Sequence, residues 1–405
     1  MRENTRKLRG LWWVLALILC CSAVFASPMS AAAAEPTVKY ADAAFISDYA
    51  ADAVQTSRNY NLMHGSVIDG EYLFRPLDYV TRQEMFRVVY SLANAGKTDR
   101  IPVMEMVTAT SVFVDKDEIA PWARSYAGYC ISMGLFIGDG SNRLQPRANI
   151  TYFECALVFL RMLGYAQETL AVQPDETHAE WRARVTDLAD GLGLFNGVLY
   201  YENGRYDQAI FRQDVAVMIA NLLRCKTVTY YLARDQVFYL ETGKTFAEHA
   251  FGEITEQKGV VMGLTDTHYL LDNGVTLPAP DFKTTDAALL GRCVRYRSAT
   301  LNPGLSWEGT LVGGETIALV SVQDVECRLD GREASIRVDT TTCTQSLTNS
   351  VICVFERDHA NAELLTPAAF AELLAQWQQT EATMLLRVII GADKNVQSVR
   401  VIYFG

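Results

Sequence analysis

The sequence predicts an α + β multi-domain protein, in which a helical array is followed by a mostly β region holding one helix. Two observations carry that prediction: a pattern that occurs three times between residues 45 and 225, and a change after Cys225 to short runs rich in β-branched and aromatic residues. In each copy an aromatic residue, Tyr49, Trp122 or Trp181, stands twelve positions before an Asn or Gly that opens a five-residue turn. The turns read Asn61-Leu62-Met63-His64-Gly65, Gly134-Leu135-Phe136-Ile137-Gly138 and Gly193-Leu194-Phe195-Asn196-Gly197. Past each turn comes a helix start, Thr81-Arg82-Gln83-Glu84, Thr151-Tyr152-Phe153-Glu154 or Phe211-Arg212-Gln213-Asp214, opening an apolar run such as Met85, Val88, Val89 and Leu92.

The chain begins with a different kind of segment. Arg2, Arg6, Lys7 and Arg9 precede an apolar run from Leu11 to Ala26, and small residues allow cleavage after Ala26 or after Ala34. That is a secretory signal and leader over residues 1–34. No later stretch is long and apolar enough to span a bilayer as a helix, so the mature chain is expected to be exported, without integral membrane contact. The net charge is −11; the leader carries +3, which leaves −14 on the mature part and argues against nucleic acid or anionic membranes as general partners. Seven cysteines follow the leader, odd in number and scattered, and the five histidines are equally dispersed. Neither a disulfide framework nor a metal site has such spacing, and no cofactor is expected. Cys130 and Cys155 lie among apolar residues at helical spacing and read as core thiols.

Each copy reads as two helices joined by a loop, over residues 43–96, 110–165 and 176–225. Trp122, Tyr126, Cys130 and Met133 recur at three- and four-residue steps and share one helix face. Gly134 and Gly138 then stop the helix, and Pro76 and Pro146 stand five residues before Thr81 and Thr151. Thr81 with Glu84, and Thr151 with Glu154, have the spacing of capping boxes, a structural role. Arg82 has no such duty: a cation in the first turn opposes the helix dipole, and it makes more sense beside an anion drawn by free backbone amides. A solvated surface arginine is the plain alternative. Trp122 and Trp181 suit either stacking on sugar faces or the core of a helical repeat.

These residues resemble the S-layer homology repeats. The aromatic, the G-L-x-x-G-like turn, Phe74-x-Pro76 and the T-R-x-E start carry the resemblance, which covers residues 43 to 225 as a triplet. It implies a pseudo-threefold helical bundle on a bacterial surface, with grooves between repeats that bind secondary cell-wall polysaccharide, often pyruvylated. The arginine of T-R-x-E contacts the acidic sugar in that family, and here the role falls to Arg82 and Arg212. The implied ligand-binding set is completed by Thr81, Glu84, Tyr152, Trp122 and Trp181. Tyr152 replaces the arginine in the second copy and weakens or alters that groove. The third copy departs further, with Phe211 for the capping Thr, Asp214 for Glu, and a Tyr206–Phe211 loop that reads two residues short.

Beyond residue 225, runs such as Val260-Val261-Met262, Cys293-Val294-Arg295-Tyr296 and Val351-Ile352-Cys353-Val354-Phe355 are strand signals, and Asn273-Gly274 marks a hairpin. Thr366-Pro367 caps the one clear helix, Thr366 to Gln379, and Met384–Ile390 with Val396–Tyr403 form a closing hairpin. A β-rich domain over 235–323, as a small barrel or sandwich, and an α+β unit over 324–405 are expected. Trp307 either offers an exposed aromatic or plugs the end of the barrel. No carboxylate pair is marked out as acid and base. The leading expectation is a non-enzymatic, secreted protein held on the bacterial wall by an acidic glycan and displaying the β region. A wall-anchored enzyme acting on glycan or peptide through residues 233–405, and a structural surface-array subunit that self-associates, are the alternatives.

Overall fold

The computed structural model describes residues 40–97, 108–199, 204, 206–234, 236–265, 268–279, 286–307, 311–330, 333–337, 344–346, 352–355, 362–380 and 383–404. The signal and leader, Cys343 and His359 lie outside the described residues. The protein is mixed helix and sheet: helices dominate up to residue 224 and strands dominate after it.

Three helices, Arg82–Ala93, Tyr152–Leu163 and Arg212–Arg224, form the centre of the helical half. The segments just before them are cross-linked in a closed ring, in which Val80 N donates to Ile210 O (3.2 Å), Ile210 N to Ile150 O (3.0 Å) and Ile150 N to Val80 O (2.9 Å). The three side chains are buried at the axis. Each central helix packs on the first helix of the next copy: Arg82–Ala93 on Arg124–Ser132, Tyr152–Leu163 on His178–Gly191, and Arg212–Arg224 back on Asp48–Asn59. One hydrophobic core runs through the whole set, from Met63 and Phe86 through Phe159 to Met218.

The helix starts follow from local chemistry. Thr81 and Thr151 cap their helices with full capping boxes to Glu84 and Glu154, worth about 1 kcal/mol each. Asn61, Gly134 and Gly193 all turn through positive φ (56°, 67° and 76°), which only Gly and Asn adopt cheaply. Two capping boxes not anticipated, Thr177–Glu180 and Thr245–Glu248, start further helices. The expected short loop of the third copy is corrected: Tyr206 O accepts from Phe153 N just as Pro146 O accepts from Gln83 N and Pro76 O from Gln213 N. Tyr206 therefore occupies the proline position, and the segment from there to Phe211 has the same length as its counterparts. The shared face of the Trp122 helix is corrected too. Cys130 is buried, but Trp122 sits in a short 3-10 turn before the helix and Met133 at its end, and both are about half exposed.

After Cys225 comes a hairpin, Lys226–Ala233 with Gln236–Thr245, so a boundary at residue 235 would divide it. An α-helix, Phe246–Phe251, follows and buries Phe246 and Phe251 in the core of the bundle, so the described residues of this region hold a second α-helix besides the expected one. Five antiparallel strands between Ile254 and Ser306 form one sheet whose outer strands approach each other, with Gly304 against Thr276 O. Trp307 is buried edge-on to Tyr269 in its core. The second five-stranded sheet carries the expected Thr383–Ile390 and Val396–Phe404 hairpin and the helix Pro367–Trp377 capped by Thr366. It also takes Thr316–Ser321, which lies within the expected 235–323 span and pairs with Thr383–Ile390. The first sheet docks on the helical half through Asn302 Nδ2 to Ala95 O (2.9 Å), Ser306 Oγ to Asn59 O, and the buried Leu305.

Candidate functional site: two grooves and a tyrosine–aspartate junction

The ring brings the first turn of each central helix against the next copy. The helix-start amides are consumed in the process: Arg82 N donates to Ala148 O, Gln83 N to Pro146 O, Tyr152 N to Gln208 O and Arg212 N to Asp78 O. The free amides expected to draw an anion are therefore already bonded within the protein, and any affinity for an anion must come from the side chains.

Arg82 is buried rather than solvated. Its Nε donates to Leu144 O (2.7 Å), its guanidinium pairs with Glu154 of the next helix (2.7 Å), and it lies over the Phe136 ring. Glu154 thus serves two masters, capping Thr151 and anchoring Arg82. Around this clasp is a groove of 450 Å³, groove B, with Trp181, Arg161 and Arg182 on its walls. Trp181 is fixed by Nε1 to Leu170 O (2.8 Å) and packs edge-on to Phe153. Arg161 donates to Gln167 and to Leu135 O; burial, with Arg82's charge second, pushes its pKa down to about 10, so it remains a cation at neutral pH.

The equivalent place one copy earlier is groove A, a cavity of 180 Å³ lined by Arg212, Glu84, Arg75, Arg87, His64 and Trp122, among others. Arg212 is buried, donates to His64 O and lies over Phe74. Arg75 bridges Glu84 and Asp78 (3.4 Å each) from a left-handed backbone conformation, φ 61°. Trp122 stands at the rim, 48% exposed, which favours an open contact surface over a core role.

The third junction is built differently. Tyr152, at the arginine position, donates its hydroxyl to Asp214, which also accepts from Tyr49 (2.6 Å), while Gln213 Nε2 donates to Tyr49 OH (3.0 Å). Tyr152 and Asp214 are buried. Burial, ahead of the Asp214 carboxylate, raises the Tyr152 pKa, and burial also raises that of Asp214 against the lowering effect of its two tyrosine bonds. Tyr152 and Asp214 thus stand in place of the arginine–carboxylate clasp, with a buried neutral donor where the other two junctions have a guanidinium.

The expected site residues are therefore divided. Arg82 and Trp181 meet in groove B; Arg212, Glu84 and Trp122 meet in groove A; Thr81 is a cap; Tyr152 belongs to the third junction, bonded to Asp214. Sequence reasoning missed Arg75, Arg87, Arg161 and Arg182. Aligning the three helix starts would have exposed two of them: Arg87 stands where the other copies have Leu157 and Val217, and Arg161 where they have Ser91 and Asn221.

Residues 112–156 match the S-layer homology domain. They span the Trp122 helix, the Gly134–Gly138 turn and the start of the second central helix. A curated relative, the amylopullulanase of Thermoanaerobacterium thermosulfurigenes, is 26% identical over 119 residues, 29% of this chain and 6% of the relative. The chain thus spans a small fraction of that protein's length. An S-layer homology domain indicates association with the cell surface or cell wall. Among the described residues no helix is long and apolar enough to cross a membrane.

Proposed function

We propose that the protein is exported and held non-covalently on the bacterial wall by three S-layer homology repeats, arranged as a pseudo-threefold bundle over residues 43–225, that bind an acidic secondary cell-wall polysaccharide. The observation that carries the reading is the pair of grooves, each built from an arginine of one helix start and the turn, carboxylate and tryptophan of the next copies. The ring from Val80 through Ile210 to Ile150 supports treating the first and third copies as relatives of the matched second one. Arginine at these positions supplies charge-assisted bonds, and the tryptophans supply apolar faces for sugar rings. Two shallow sites on one chain gain affinity by engaging successive units of a repeating glycan. The β region is what such an anchor would display.

Co-sedimentation of the full chain with purified sacculi tests this. Wild-type protein should pellet with intact sacculi and remain in solution once the secondary polysaccharide has been chemically stripped. Equal binding to stripped sacculi would refute a polysaccharide anchor.

A further inference from the structure

We propose that the two grooves divide recognition of the glycan: groove A takes its acidic substituent, an oxyanion, between Arg87 and Arg212, and groove B takes an uncharged sugar ring against Trp181. This rests on the wall-glycan reading and adds to it a different ligand chemistry for each groove.

The charges lining the grooves differ. In groove B, Arg82, Arg161 and Arg182 face Glu154, Asp207 and Asp139, with close pairs from Arg82 to Glu154 (2.7 Å) and Arg182 to Asp207 (2.8 Å). The balance is neutral, and an added anion would be in excess. In groove A, Arg75, Arg87 and Arg212 line the cavity with Glu84, and Asp78 also pairs with Arg75, which leaves a surplus of one positive charge. His64 adds none, because burial and then Arg87 and Arg212 push its pKa down to about 3. Arg75 already shares Glu84 and Asp78, whereas Arg87 has no carboxylate within ion-pair distance among the described residues.

Arg212 is buried, and burial lowers its pKa; the Glu84 carboxylate, the next cause, raises it, while the charges of Arg75 and then Arg87 lower it. A buried guanidinium beside like charges is an unfavourable arrangement that a bound oxyanion relieves, and guanidinium forks match carboxylate and phosphate oxygens. Size agrees with charge. Groove A, at 180 Å³, is the smaller and suits an acidic group and its point of attachment. Groove B, at 450 Å³ and walled by Trp181, suits a ring. Arg87 occurs in the first copy alone, so this asymmetry belongs to this chain rather than to the repeat pattern.

The test titrates full-length protein with glucose 6-phosphate, glucuronate and glucose by calorimetry, for wild type, Arg87→Gln, Arg87→Lys and Arg161→Gln. Both oxyanion probes should bind more tightly than glucose and lose affinity as salt rises. Arg87→Gln should weaken them by about tenfold or more, Arg87→Lys should retain much of the binding, and Arg161→Gln should leave oxyanion binding in place. The stronger of the two probes identifies the oxyanion as phosphate or carboxylate. Failure of both probes to bind wild type, or loss of oxyanion binding in Arg161→Gln but not in Arg87→Gln, would overturn the proposal. Melting curves identify any variant that misfolds, and Arg87→Lys then carries the comparison. Oxyanion binding by a protein that ignores sacculi would refute the wall reading and leave groove A as an oxyanion site.

Discussion

Replacing Arg82 by methionine keeps a stem of similar length against Phe136 and removes the guanidinium. Two interactions are lost: the 2.7 Å bond to Leu144 O, made by a buried charged donor, and the 2.7 Å pair with Glu154. A hydrogen bond from a charged group contributes about 1.5–3 kcal/mol. Glu154 is 38% exposed, so the pair is discounted for solvent to about 1 kcal/mol. Relief of the unfavourable dipole position returns a few tenths of a kcal/mol. The expected net cost is about 2–3.5 kcal/mol, or about 5–12 °C in the melting of a helical unit of this size. Far-UV circular dichroism melts measure it, and a double-mutant cycle with Glu154→Gln should give a coupling of about 1 kcal/mol. A melt within ~1 °C of wild type and no coupling would show Arg82 to be a free surface arginine and would refute the clasp between helix starts.

Tyr152→Phe should cost about 1.5–3 kcal/mol in urea unfolding, because it leaves the buried Asp214 carboxylate with one tyrosine fewer. It should leave sacculus binding intact, and loss of binding at unchanged stability would show that the third junction is a working groove. Gly164→Ala should destabilise by about 2 kcal/mol or more: Gly164 ends its helix at φ 101°, and a Cβ there would lie 2.1 Å from Val228 O. Arg184 holds the Glu176 carboxyl down at about 2, below its ordinary 4.5, through bonds of 2.7 and 2.9 Å. That contribution to stability is present above pH 4.5 and is lost as pH falls towards 2, so Arg184→Met should flatten the acid limb of a stability–pH curve between those values. An unchanged limb would contradict the pairing.

Local signals were legible where one residue type has one cheap solution. Thr81–Glu84 and Thr151–Glu154 cap as their spacing required, Asn61, Gly134 and Gly193 take the left-handed turn, and Asn273-Gly274 closes a hairpin. What failed depended on partners distant in sequence. The helix-start amides looked free because their acceptors, Pro146, Gln208 and Pro76 among them, come from other copies. The pairing of Thr316–Ser321 could not be read locally because its partner lies some seventy residues away, from Leu385 to Ile390. Tyr152 was correctly read as breaking the arginine pattern, but its bond to Asp214 needed the ring that closes the three copies. Arg87 and Arg161 were missed because a cation within an amphipathic helix reads as its solvated face, and only the packing shows that they line grooves.

The most direct measurement is a structure of the protein with an oligosaccharide of the secondary wall polysaccharide bound. The account predicts glycan in the grooves beside Arg212 and Trp122 and beside Arg82 and Trp181, and none at the Tyr152–Asp214 junction. Glycan at that junction, or on the β sheets with both grooves empty, would contradict it.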